Sequence, residues 1–243
     1  MKRFSADKML PTMTVFWGVL ALILRRQLYI TGMDVKGLLA ENHPLGIALT
    51  VLTIAALIRS ALYARKWGFA GEGAKTMDAR LAGALGNAAA GAGILVTVLF
   101  AAPMTGSYLV TLWYWLGLAA AICLLAAGVV RMFGKSPFFL LHVAACLFYL
   151  VHIVTHYQLW SSNPQMQDYL FAMLGAMALM LFAFYTAAAE ADCGSPRMKL
   201  GVGLAAVYLC LGELARSSCP GLYWGGFLWV LTDLYSMTEA AQK

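Results

Sequence analysis

Residues 137–160 read PFFLLHVAACLFYLVHIVTHYQLW, and their reading decides the fold. The run is apolar over a length that crosses a bilayer, which takes about 20 residues of helix. It nevertheless carries His142, His152 and His156, three of the chain's four histidines. At about 100° per residue, His142, Cys146, Tyr149 and His156 share one helical face, with His152 on its flank. Polar groups at membrane depth are costly and turn toward protein or a water-filled space rather than lipid. The stripe is therefore expected to look inward from a transmembrane helix.

Seven further apolar runs lie outside it, at residues 10–30, 44–63, 81–102, 108–130, 169–189, 200–216 and 221–237. Hydrophobic residues make up 62% of the 243 and charged residues 12%, with a mean hydropathy of +0.75. A water-soluble domain of this length has no interior large enough for that surface, whereas lipid solvates it directly. The expected fold class is all-α: a polytopic integral membrane bundle of eight transmembrane helices. No linker or low-complexity stretch divides it, so residues 1–243 are expected to form a single transmembrane domain. The first run ends in Arg25 and Arg26 with no small-residue cleavage pattern after it, and reads as a retained span.

Lysine and arginine set the orientation. With the N-terminus in the cytoplasm, the outer side holds Arg25, Arg26, Lys36 and Arg216, and the other thirteen of the seventeen basic residues fall inside. Both termini are thus expected to be cytoplasmic in a multi-pass plasma-membrane protein. Tyr108, Trp113, Trp115, Trp160, Tyr223 and Trp224 are expected to form an outer aromatic belt. The segment at 25–45, RRQLYITGMDVKGLLAENHPL, resembles one found in uncharacterised polytopic membrane proteins of gram-positive anaerobes. That resemblance implies a membrane location and no activity.

His152 and His156 are four apart, a spacing that brings two rings together on adjacent turns and suits two ligands of a zinc site. A third ligand would come from His43, Cys219, Glu213 or Asp168. His142 and His156 lie about 21 Å apart along a helix, a separation open to two haems, but no other span offers a histidine as second ligand. Met173, Met177 and Met180 repeat at helical spacing, as a copper(I) path or as gap-filling packing.

The outer half collects charge. Arg25, Arg26, Glu213 and Arg216, together with His142 and Tyr149, are the candidate substrate-binding residues of an outward-facing polar cavity. Glu213 and Arg216 stand at i, i+3 and are placed to pair with one another. Glu190, Asp192 and Asp233 read as solvated or capped at the inner ends. The third span, with Ala79, Gly83, Gly86, Ala90 and Gly93 on one face, is expected at the centre of the bundle or at a seam with a second copy or a membrane partner.

The expected function is binding or translocation of a small solute or lipid-like molecule through that cavity. The alternative is a membrane-embedded metal-dependent enzyme using His152 and His156, or a structural accessory subunit. A net charge of +6 without a basic tail gives no nucleic-acid surface. Phosphate-binding loops, dinucleotide fingerprints and paired CxxC cysteines are all missing from the sequence.

Overall fold

A computed structural model describes residues 4–32, 43–66, 77–100, 108–160 and 169–240. These form eight α-helices: α1 (Phe4–Thr31), α2 (Pro44–Lys66), α3 (Met77–Phe100), α4 (Tyr108–Met132), α5 (Leu140–Trp160), α6 (Leu170–Glu190), α7 (Pro196–Glu213) and α8 (Pro220–Ala240). One 3-10 turn, Leu214–Arg216, follows α7, and no strand occurs among the described residues. Helices α2, α7 and α8 each begin on a proline, where the fixed φ suits a first turn and the missing N–H has no helical partner to lose. Pro11 is different. The sequence places it in the opening turn of the first span, but α1 starts at Phe4 and carries it in its interior.

Seven of the eight helices are long and apolar enough to cross a membrane, and the chain is a multi-pass membrane protein. The exception is α8, whose 21 residues have the length while Asp233 and its glycines, tyrosines, serine and threonines lower its hydropathy. Its neighbours explain why that composition is tolerated. It packs against α3, α7, α1 and α6, so much of its surface meets protein rather than lipid.

Successive helices from α3 to α8 pack pairwise, and α8 returns to lie along α3, closing a ring of six. Helix α7 also carries α1 and α2 on its outer side. The spanning part of α7 is 67% buried against 22% for α2, which fixes which helix is central and which meets lipid. The α3–α8 seam is the most extensive in the molecule and is built on glycine. A methyl group at Gly93 would stand 2.4 Å from the Gly221 carbonyl oxygen, and one at Gly225 would stand 2.6 Å from that of Ala89. Gly221 and Gly225 form a GxxxG pair, the spacing that lets two helix backbones touch. The bare face of the third span is thus occupied by α8 of the same chain at Gly86, Ala90 and Gly93, and Gly83 meets Arg131 of α4.

Candidate functional site: two buried polar layers in the helix ring

The ring holds aromatic and aliphatic side chains at mid-depth. Phe148, Tyr149, Leu179, Phe182 and Trp229 are all fully buried. A polar layer lies toward each end, named inner and outer after the orientation expected from the lysines and arginines.

The inner layer takes one side chain from each of the six ring helices. Arg131 of α4 donates to Glu190 of α6 (3.1 Å) and to Asp233 of α8 (3.0 Å). Lys199 of α7 meets the other oxygen of Asp233 at 2.5 Å. His142 of α5 sets Nδ1 2.7 Å from Glu190 Oε2 and Nε2 3.3 Å from Asn87 Oδ1 on α3. The imidazole also stacks on the Trp229 indole, 5.8 Å between centroids and 17° from parallel. Asp233 and Glu190 therefore differ from the solvated groups expected from the sequence. Asp233 is 3% exposed and held by two cations. Helix ends that look peripheral along the chain face the ring axis once α8 closes on α3. Asp192 alone of the three is exposed.

The outer layer has two parts. Arg25 of α1 is buried and ion-paired with Glu213 at the end of α7. Its guanidinium also donates to the Gly212 carbonyl at 3.0 Å and lies 4.9 Å over the Phe171 ring. Glu213 thus pairs across helices and not with Arg216, which is exposed and sits 4.7 Å over the Tyr29 ring. Arg26 is exposed.

The second part is the histidine pair. His152 and His156 rings lie 3.9 Å apart and both are buried. The Trp113 indole N–H donates to His152 Nδ1 at 3.1 Å, so that nitrogen carries a lone pair. His156 Nδ1 faces the His152 carbonyl at 3.0 Å and must carry the proton, which leaves Nε2 as the acceptor 3.9 Å from the Cys219 thiol. Among the described residues no group of three or more His, Cys, Asp or Glu is arranged to hold a metal ion. Of the third ligands considered from the sequence, Cys219 approaches the pair, and Asp168 lies outside the described residues.

The aromatic belt divides in the same way. Tyr108, Trp115 and Trp224 are exposed, while Trp113 and Tyr223 turn inward, the first to His152 and the second to the Ala172 carbonyl at 2.9 Å. The sequence gives both kinds the same position relative to the membrane surface, and only packing separates them. Met177 is exposed, with Met173 and Met180 half-buried, so the methionine repeat does not form one enclosed line.

Five polar atoms of the ring helices are buried with no hydrogen-bond partner: Asn87 Nδ2, Trp229 Nε1, Thr186 Oγ1, Tyr149 OH and Thr155 Oγ1. They come from α3, α8, α6 and α5 and are each almost fully buried or completely so. Buried polar groups in proteins are nearly always paired, and the penalty for leaving one unpaired is larger in a hydrocarbon-like setting.

No protein-family model, curated protein or solved structure matches this chain.

Proposed function

We propose that the chain crosses the plasma membrane eight times, with both termini in the cytoplasm, and binds or translocates a small polar solute through the α3–α8 ring. The observation that carries this reading is the inner layer. Four charged side chains, a histidine and an amide from six different helices meet at one end of a membrane bundle, with Asn87, His142, Lys199 and Asp233 buried and Arg131 and Glu190 partly so. Ionisable groups at such depth are functional candidates by default. Replacing ion pairs of this kind with apolar packing is often neutral or stabilising, so their stability value alone gives little reason for them.

In this reading the two layers are closures. Arg25–Glu213 shuts the outer end, with Arg26 and Arg216 as exposed cations at its mouth. Arg131, Glu190, Asp233 and Lys199 shut the inner end. Every one of these ion pairs joins two different helices, so each breaks when its helices part. Between them, Tyr149 offers a hydrogen bond to a solute, while His142, expected from the sequence to do the same, is engaged by Glu190 and Asn87 in the inner closure.

Binding is tested by thermal denaturation of the purified protein against a panel of small anions, zwitterions and neutral polar solutes. A ligand at 100 times its dissociation constant adds about 2.7 kcal/mol of stability. One solute class should raise the midpoint in the wild type and not in Tyr149→Phe. A flat response to every class contradicts the reading.

A metal-dependent enzyme is the second reading, and the approach of Cys219 to His156 favours it. Stoichiometric zinc in the purified protein, lost in His156→Ala, would install it. A metal-free protein would remove it.

A further inference from the structure

The hydrogen-bond partners of His142 fit two protonation states of the ring, one for each orientation of the Asn87 amide. Both of its ring nitrogens point at oxygens: Nδ1 at Glu190 Oε2 and Nε2 at Asn87 Oδ1. A neutral imidazole has one N–H and one lone pair, so it cannot donate to both. Two donors require the imidazolium. The Asn87 amide, turned so that its oxygen meets the ring, leaves Nδ2 buried without a partner. Rotating that amide by a half-turn reverses both statements. Nδ2 then donates to Nε2, and the ring needs only the Nδ1–H that it gives to Glu190.

We propose that His142 is a proton-binding site read out by the Asn87 amide. With the proton bound, the ring clasps Glu190 and the amide oxygen. With the proton gone, the amide turns over and the orphaned N–H is satisfied. The charges around the ring suit two states. Arg131 from α4 and Lys199 from α7 face Glu190 from α6 and Asp233 from α8, two cations against two anions. A neutral His142 leaves that set balanced, and an imidazolium adds one positive charge against Glu190. Asn87 from α3 and Trp229 from α8 are uncharged, and Cys146 and Tyr149 are the nearest polar groups along α5 itself.

The proton has a route. Glu190 and Arg131 keep side-chain exposures of 9% and 16%, whereas His142 is at 0%, so water at the inner end reaches the carboxylate that hands the proton on. The consequence for packing follows from the chain of pairs. Glu190 is shared between His142 and Arg131, and Arg131 between Glu190 and Asp233. Protonation at one histidine therefore tightens the α5–α6 contact and draws charge from the clasp that holds α4 and α8. The assignment rests on the translocation reading only for its purpose, as the site where proton movement is coupled to the solute.

The stacked Trp229 supplies a reporter, because an imidazolium quenches an adjacent indole more strongly than a neutral imidazole does. The full chain in lipid nanodiscs is titrated from about pH 5 to about pH 8 while tryptophan emission is recorded. The expected result is reversible quenching on acidification with the slope of a single proton. It should be lost in His142→Gln and in Trp229→Phe and retained in Trp113→Phe, which removes the indole beside the other two histidines. Asn87→Asp, which fixes an anion on Nε2, should hold the quenched emission to a pH at least about one unit higher. Emission that does not change with pH in the wild type overturns the site, as does a response that survives both His142→Gln and Trp229→Phe. A protein that titrates in this way but moves no solute keeps the proton site and loses the translocation reading. Solute flux without this titration does the reverse.

Discussion

Arg25 and Glu213 stand 188 positions apart in the chain and are each other's charge partner inside the bundle, each only 3% exposed. Neither has water to fall back on, so the pair is worth much more as a pair than the sum of its halves suggests. Removing one member takes from the other the opposite charge that it is buried against. Glu213→Ala should destabilise the protein by about 3–5 kcal/mol, whereas the double replacement Arg25→Met with Glu213→Leu should recover most of that loss. Thermal midpoints in detergent for the two single variants and the double variant check this. A double variant no better than the worse single one would contradict it.

The glycine seam between α3 and α8 predicts sharply different outcomes at two glycines. Gly225 has the Ala89 carbonyl oxygen 2.6 Å from where a methyl would sit, while nothing lies within 4 Å of the same position at Gly46. Gly225→Ala should cost about 1–3 kcal/mol, the usual range for overpacking a close contact. Gly46→Ala should be neutral or slightly stabilising, since alanine favours helix over glycine by up to about 1 kcal/mol. The same denaturation assay separates them.

The native cysteines provide an orientation test without engineering. Cys193, in the connection between α6 and α7, is exposed; Cys210 and Cys219 are buried, and Cys123 and Cys146 are half-buried within spanning helices. A membrane-impermeant maleimide should label Cys193 in inside-out vesicles and not in intact cells. Labelling from the outside would reverse the proposed topology.

Seven of the eight helices and most of their limits follow from hydropathy and proline placement, because a span announces itself in about 20 consecutive residues. The inward turn of the α5 stripe is equally local. His142, Tyr149, His152 and His156 are each buried to 4% exposure or less, as helical periodicity requires, while Cys146 on the same face is half-buried. What the sequence does not contain is which helices meet. Glu213 has Arg216 three residues away and takes Arg25 from another helix. Asp233 lies seven residues from the end of α8 and reads as solvated, until the closure of the ring brings Arg131 and Lys199 onto it. Trp113 and Trp115 are the same residue type two positions apart, yet one donates to His152 and the other is exposed. In each case spacing along the chain limits what one helix can do, and the partner is chosen by a seam between helices far apart in sequence.

Solute movement through the ring is measured most directly in proteoliposomes with a pH-sensitive dye in the lumen, challenged with the solute panel under an imposed proton gradient. Wild-type protein should carry at least one solute class with a proton flux alongside it, and Asp233→Asn, which leaves Arg131 and Lys199 sharing a neutral partner, should abolish both while remaining folded. Folded wild-type protein that moves neither solute nor proton, under a gradient of either sign, would contradict the account.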